Sequence, residues 1–232
     1  MAKSTFPSSR RGLMISGAAV AVGVLARSAS KPFPVLPGRP VPMPAPLRTP
    51  IPAAPRAPGQ SNLVVNPLLL NKALAALDTH ANRFRARDRI AIVDFAAPSS
   101  EARLHFLDLV GGKASRLLVA HGSGSDPGHT GFLTRFSNAF DSNASSEGAF
   151  LVDDYYVGKH GRSQRLVGLD PTNNNALDRA IVIHGAWYAN DDMIAAHGKL
   201  GRSQGCFAVG EHKLDDVFGF LGQGRMIFAA RT

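Results

Sequence analysis

Ile181-Val-Ile-His-Gly-Ala-Trp-Tyr188 and Gly201-Arg-Ser-Gln-Gly-Cys-Phe-Ala208 are the two stretches from which the chain is best read, and the second holds its only cysteine. A free thiol titrates near ~8.5, so little of it is thiolate at neutral pH and a nucleophilic cysteine needs a nearby base. Imidazole is the side chain with the closest pKa. Ile181-Val182-Ile183 reads as a buried strand whose rigid end would hold the His184 ring. Gly205, just before the thiol, would let a substrate carbonyl approach without meeting a Cβ. The backbone N–H groups of Gln204, Gly205 and Cys206 would then face a developing oxyanion.

The residues alone leave a second reading open. A lone cysteine is often a small buried hydrophobe, and a histidine ending a strand is often a hydrogen-bonded core residue. The glycines and polar residues around Cys206 favour the nucleophile, because a filler thiol more usually sits inside an apolar run.

The pattern His184-Gly185, with Gly185 to Arg202 intervening before Ser203-x-Gly205-Cys206, resembles the signature of the L,D-transpeptidase catalytic domain (YkuD type), most closely its murein L,D-transpeptidase branch. The likeness extends through Gly158-Lys-His-Gly-Arg-Ser-Gln-Arg-Leu-Val-Gly-Leu169, Ala180-Ile-Val-Ile-His-Gly185 and His197-Gly-Lys-Leu-Gly-Arg-Ser203, within roughly residues 88–230. The chain departs from the pattern twice. Gln204 stands where many members have histidine, and Phe207 where the branch usually has proline. In the family, a backbone carbonyl after the histidine can orient the imidazole, which by position would be that of Gly185.

Length and composition allow one domain of ordinary size plus extensions: 232 residues, 44% hydrophobic and 19% charged. The net charge of +9 is unevenly placed. Residues 1–77 carry nine Lys or Arg and no acid, whereas from Asp78 onward seventeen basic residues meet seventeen acidic ones. A nucleic-acid enzyme would carry its positive stripe on the folded part, so that class is disfavoured.

Ser9-Arg10-Arg11-Gly12-Leu13-Met14 precedes a modestly apolar stretch, Leu13 to Ala26. A twin arginine before a weak hydrophobic core resembles a Tat export signal, with residues 1–30 as the leader and cleavage after Ser30. An uncleaved anchor is the alternative, but the stretch is shorter than the ~20 apolar residues a membrane span needs. Residues 31–62 read as a Pro-rich linker, because residues 31–60 hold eleven of the sixteen prolines. Such a segment favours extended conformations and cannot build a core. One cysteine precludes an intrachain disulfide, and an unpaired thiol in an oxidising compartment suggests use. The expected location is therefore the periplasm or cell envelope, with the membrane met only during export.

Residues 63–232 read as the catalytic domain with an N-terminal helix. Asn66-Pro67 is a helix start, and Leu70, Ala73, Leu74 and Leu77 recur on one face. Strands are expected over Ile90–Phe95, Arg103–Val110, Arg116–His121, Glu147–Val157, the His184 segment and Arg225–Ala230. Gly111-Gly112 reads as a hairpin turn, and Pro171 to Asn175 as a surface turn. Asp191–His197 reads as one or two helical turns and Glu211–Leu221 as a helix. Many short strands with few helices point to a mainly β sandwich or barrel, the fold class the resemblance also implies.

Other groups are candidates for lesser roles. His121, His129, His160 and His184 would be the zinc ligands of a metal reading, yet the chain has neither His-Glu-x-x-His nor paired-cysteine spacing. No metal or organic cofactor is expected. His121 and His160 are candidates for a cleft wall that meets substrate carboxylates, with surface turns as the alternative. Arg202 and Arg165 are candidates for pairing with carboxylates of a peptide stem. Trp187 and Tyr188 are candidate pocket aromatics, and Ser203 a loop hydrogen-bonding group.

The resemblance implies an exported cysteine L,D-transpeptidase that cross-links peptidoglycan through a thioester on tetrapeptide stems. An L,D-carboxypeptidase that hydrolyses the same thioester is the runner-up. A non-catalytic wall-binding module, with Gln204 and Phe207 as signs of decay, is the reading from another class.

Overall fold

Two hydrophobic layers lie on opposite faces of one eight-stranded mixed sheet in the computed structural model, which describes residues 65–232. The expected leader, residues 1–30, and the whole of the expected linker, residues 31–62, lie outside the described residues.

The first element is α1, Pro67–Thr79. Asn66 caps it by accepting the Leu68 N–H at 2.9 Å, and Pro67 occupies a first-turn position where no N–H is needed. Its buried stripe is Leu69, Ala73 and Leu77, with Leu70 and Leu74 at the margin. The expected face keeps Ala73 and Leu77 and extends to Leu69, with Leu70 and Leu74 only partly buried, because residues four apart on a helix share one face.

The strands are β1 (Arg89–Asp94), β2 (Leu104–Asp108), β3 (Ala114–Leu117), β4 (Gly148–Gly158), β5 (Gly161–Gly168), β6 (Val182–Gly185), β7 (Phe207–Val209) and β8 (Met226–Ala230). They lie in the order β3-β2-β1-β8-β4-β5-β6-β7. β1–β8 and β6–β7 pair parallel; the other neighbours pair antiparallel. Two helices complete the set, α2 (Asp192–His197) and α3 (Leu214–Leu221).

Alternation along β1 and β8 decides what covers each face. Ala91, Val93, Ile227 and Ala229 pack with Leu214, Val217 and Leu221 of α3, while Ile90, Ile92, Met226 and Phe228 pack with α1. A strand buried on both faces reads as a continuous apolar run, as Ile90-Ala-Ile-Val93 does. Shortly after edge strand β3, Ala120 bridges to Ala208 in β7, at the opposite edge. That bridge brings the two edges of the sheet together and rolls it toward closure. The mainly β expectation holds, with few short helices.

Several boundaries differ from the sequence reading. Arg116–His121 is not one strand: β3 ends at Leu117, and the residues beyond it make only isolated bridges. The Glu211–Leu221 segment begins as a tight 3-10 turn, Glu211–Lys213, before α3. β5 and β7 were not read as strands. β5 opens Gly-Arg-Ser-Gln-Arg, whose polar residues hide a period of two, yet it lies between β4 and β6 and sets the register Ser163↔His184. Among the described residues no helix is long and apolar enough to cross a membrane.

Candidate active site

The parallel pairing of β6 with β7 places Ile183 beside Phe207 and His184 beside Ala208. Cys206 immediately precedes β7, so it comes beside Val182, two residues from His184 and therefore on the same face of β6. Both side chains line one pocket of about 440 Å³, with Tyr156, Lys159, His160, Arg179, Tyr188 and Arg202 around them. The thiol is largely buried at 7% exposure and donates to the Ala180 carbonyl at 3.6 Å. Burial pushes its pKa up, while the Val182 N–H and the Arg179 charge pull it down.

The imidazole is oriented from the backbone. His184 Nδ1–H donates to its neighbour's carbonyl, Gly185 O, at 3.0 Å, which leaves Nε2 as the acceptor nitrogen. Burial lowers the ring's pKa first, the Gly185 carbonyl raises it, and His160 lowers it again. His160 sits in the turn between β4 and β5 and stacks on His184 with ring centroids 4.4 Å apart.

Ser203 closes the turn that carries the thiol. Its hydroxyl donates to Cys206 O at 2.7 Å and accepts from Gly205 N at 3.1 Å. This corrects the sequence reading of the loop: the Gly205 N–H is committed to Ser203, leaving the Gln204 and Cys206 N–H groups as the oxyanion candidates. Gly205 itself is required for packing rather than for substrate approach. Its φ is +114°, and a Cβ there would lie 2.7 Å from Ile181 Cδ1 and 2.8 Å from the Ala144 carbonyl.

His121, expected on the cleft wall, is wholly buried beneath the loop. Arg103 Nη2 donates to its Nδ1 at 2.7 Å, and its Nε2–H donates to Asp126 Oδ2 at 3.4 Å. Burial, then the Arg103 charge, drive its pKa down to about 4, against the pull of Asp126, so the ring is neutral. Its carbonyl accepts the Ser203 N–H at 2.9 Å, tying this network to the turn that bears the thiol. Arg103, fully buried, also donates to Val119 O and Ala97 O, which is how its charge is solvated inside the core.

The remaining candidates divide. Arg202 lines the pocket, and its guanidinium is anchored on the carbonyls of Asp126 and Pro127. Arg165 does not line it; its guanidinium lies over the Tyr156 ring, 4.2 Å from the centroid. Trp187 points outward at 66% exposure, and Tyr188 lines the pocket instead, because successive residues of the short 3-10 turn after β6 face different sides. Burial, then the Cys206 charge, push the Tyr188 hydroxyl up to about 12, so it remains a neutral donor. His129 Nε2 meets Leu200 O at 3.0 Å, and among the described residues no group of three His, Cys, Asp or Glu side chains is arranged to hold a metal ion.

Arg179, like Tyr156 and Lys159, lines the pocket without having been a candidate in the sequence. It follows a polar turn and precedes Ala180, which adopts a left-handed φ of +53°. In the sequence an arginine in such a turn is indistinguishable from a solvated surface residue.

Comparison with protein-family models matches residues 61–230 to the L,D-transpeptidase catalytic domain. No curated protein matches the chain. Among solved structures, an L,D-transpeptidase from Mycobacterium smegmatis is 10% identical with a TM-score of 0.38, over 62% of this chain and 58% of that one. One from Mycobacterium tuberculosis is 12% identical with a TM-score of 0.36, over 62% and 57%. One from Stackebrandtia nassauensis is 13% identical with a TM-score of 0.36, over 71% and 67%. The chain thus spans less than two thirds of the length of the first two of these structures.

Proposed function

Because the chain belongs to the L,D-transpeptidase catalytic domain family, we propose that it is an exported cysteine transpeptidase acting on peptidoglycan stem peptides. The observation that carries the reading is the shared pocket of Cys206 and His184, with His184 Nδ1 tied to Gly185 O so that Nε2 can take a proton.

In this mechanism the Cys206 proton passes to His184 Nε2 as sulfur attacks the carbonyl of the L-centre in a tetrapeptide stem. The oxygen becomes an oxyanion received by the Gln204 and Cys206 N–H groups. Collapse breaks the L–D peptide bond, the terminal D-residue leaves with the proton from His184, and a thioester remains on Cys206. The amine of a neighbouring stem then attacks the thioester; its proton goes to His184, and the thiol is regenerated with a new cross-link. Arg202 and His160, on the pocket wall, are the candidates for meeting the stem's carboxylates.

Residues 1–30 are the proposed export leader and 31–62 the linker that spaces the catalytic domain, 63–232, from the membrane. The protein would work in the periplasm or cell envelope, with no cofactor assigned.

Purified protein incubated with tetrapeptide muropeptides tests the reading. Cross-linked dimers are the expected product, lost in Cys206→Ala and His184→Ala. Tripeptides without dimers would make it an L,D-carboxypeptidase. Full cross-linking by Cys206→Ala would overturn the mechanism.

A further inference from the structure

Among the described residues Arg179 has no carboxylate partner. Its four Nη hydrogens are directed at neutral oxygens: Ser137 O at 2.8 Å, Ser146 Oγ at 2.7 Å, Ser142 Oγ at 3.1 Å and Ala144 O at 2.6 Å. Those bonds hold the guanidinium rigidly without cancelling its charge. Among the described residues no acid pairs with it, and the one ionisable group that acts on it is Cys206.

The charge lies at the nucleophile turn. A Cβ built on Gly205 would be 3.3 Å from Arg179 Nη2, and Gly205 directly precedes Cys206. Arg179 also precedes Ala180, whose carbonyl receives the thiol proton. The ionisable groups lining the pocket around the sulfur are His184, His160, Lys159, Tyr156, Tyr188, Arg202 and Arg179, with no carboxylate among them.

His184 by itself is a weak base for this thiol. The ring is buried and lies against His160, and both effects disfavour its charged form, so an imidazolium alone would hold a thiolate poorly. Guanidinium cannot lose its proton in this range, so it neither competes as an acid nor varies with pH.

We propose that Arg179 is the fixed counter-charge of the Cys206 thiolate, stabilising it when the thiol proton moves to His184. This rests on the nucleophile reading above. Arg179 acts through the sulfur, and is therefore an electrostatic positioning residue.

The test is the pH dependence of Cys206 alkylation by iodoacetamide, read together with ultraviolet thiolate absorbance, on the full chain. An adjacent opposite charge lowers an acid's pKa by about 1–3 units. Arg179→Gln is therefore expected to raise the alkylation midpoint by at least about one unit, and Arg179→Lys to keep most of the lowering. Because Arg179 also holds the 137–146 loop, Ser142→Ala/Ser146→Ala serves as the control that removes bonds but leaves the charge. Its midpoint is expected to match the wild type. An unchanged midpoint in Arg179→Gln, or a rise of a full unit in the serine double variant, would overturn the proposal. Should Arg179→Gln fail to fold, midpoints near the wild type are expected in both Arg179→Lys and the serine double variant, and a rise of a full unit in either would overturn the proposal. Failure of the nucleophile reading is separate: it appears as cross-linking retained by Cys206→Ala, whatever the midpoints do.

Discussion

The imidazole of His160 lies on the imidazole of His184, centroids 4.4 Å apart and planes 23° from parallel. The stack covers the proposed base from solvent and sets a second titratable ring against it. Burial and His160 both lower the His184 pKa. Removing the outer ring relaxes both effects, so His160→Ala should raise the His184 pKa and move the acid limb of kcat/KM to higher pH. A pH–rate profile of the variant checks this; an acid limb that stays in place or moves down would refute it.

Ser203 joins both ends of the turn that carries Cys206 through one hydroxyl. Ser203→Ala leaves the buried Gly205 N–H and Cys206 carbonyl without that partner, at a cost of about 1–3 kcal/mol of stability. A thiol displaced by an ångström costs on the order of 100-fold in rate. Thermal unfolding and the rate of thioester formation are the measurements; wild-type values in both would show that the turn does not need the hydroxyl.

Gly205→Ala meets two obstacles at once. The backbone is at φ +114°, and the new methyl would press on Ile181 Cδ1 and the Ala144 carbonyl. Backbone strain alone is worth about 1–3 kcal/mol. The expected outcome is a lowered unfolding midpoint and loss of cross-linking, scored by urea denaturation and the muropeptide assay.

The His121 network predicts acid sensitivity. His121 titrates at about 4 in the folded protein, against 6.5 for an ordinary histidine. Between those values the unfolded chain binds the additional proton, so this contribution to stability is complete above 6.5 and is lost as pH falls toward 4. The shift corresponds to about 3 kcal/mol at most. Arg103 and Arg202 oppose protonation and Asp126 favours it, and the buried His105 and His184 act in the same direction. His121→Gln isolates the ring's own share: urea midpoints measured at neutral pH and near the lower end of the window should differ less in the variant than in the wild type. An equal difference would remove His121 from the account.

Much of the molecule was legible along the chain because its signals are local. The apolar run Ile90-Ala-Ile-Val93, the Asn66-Pro67 cap and the Gly111-Gly112 hairpin each declare an element from a few residues. β5 was not legible, since its first residues are polar and hide the alternation, and its burial between β4 and β6 comes only from the pairing of all three strands.

The family, the mainly β class, and the candidacy of one thiol and one strand-end imidazole could be read along the chain, because residue type and spacing carry that information directly. Tertiary structure alone decided which charges surround the sulfur. It buried His121, turned Trp187 outward, laid Arg165 on Tyr156 and brought Arg179 into the pocket beside the Cys206 turn. The physical reason is that burial and electrostatic environment are sums over neighbours from distant segments, and no stretch of sequence contains its own neighbours.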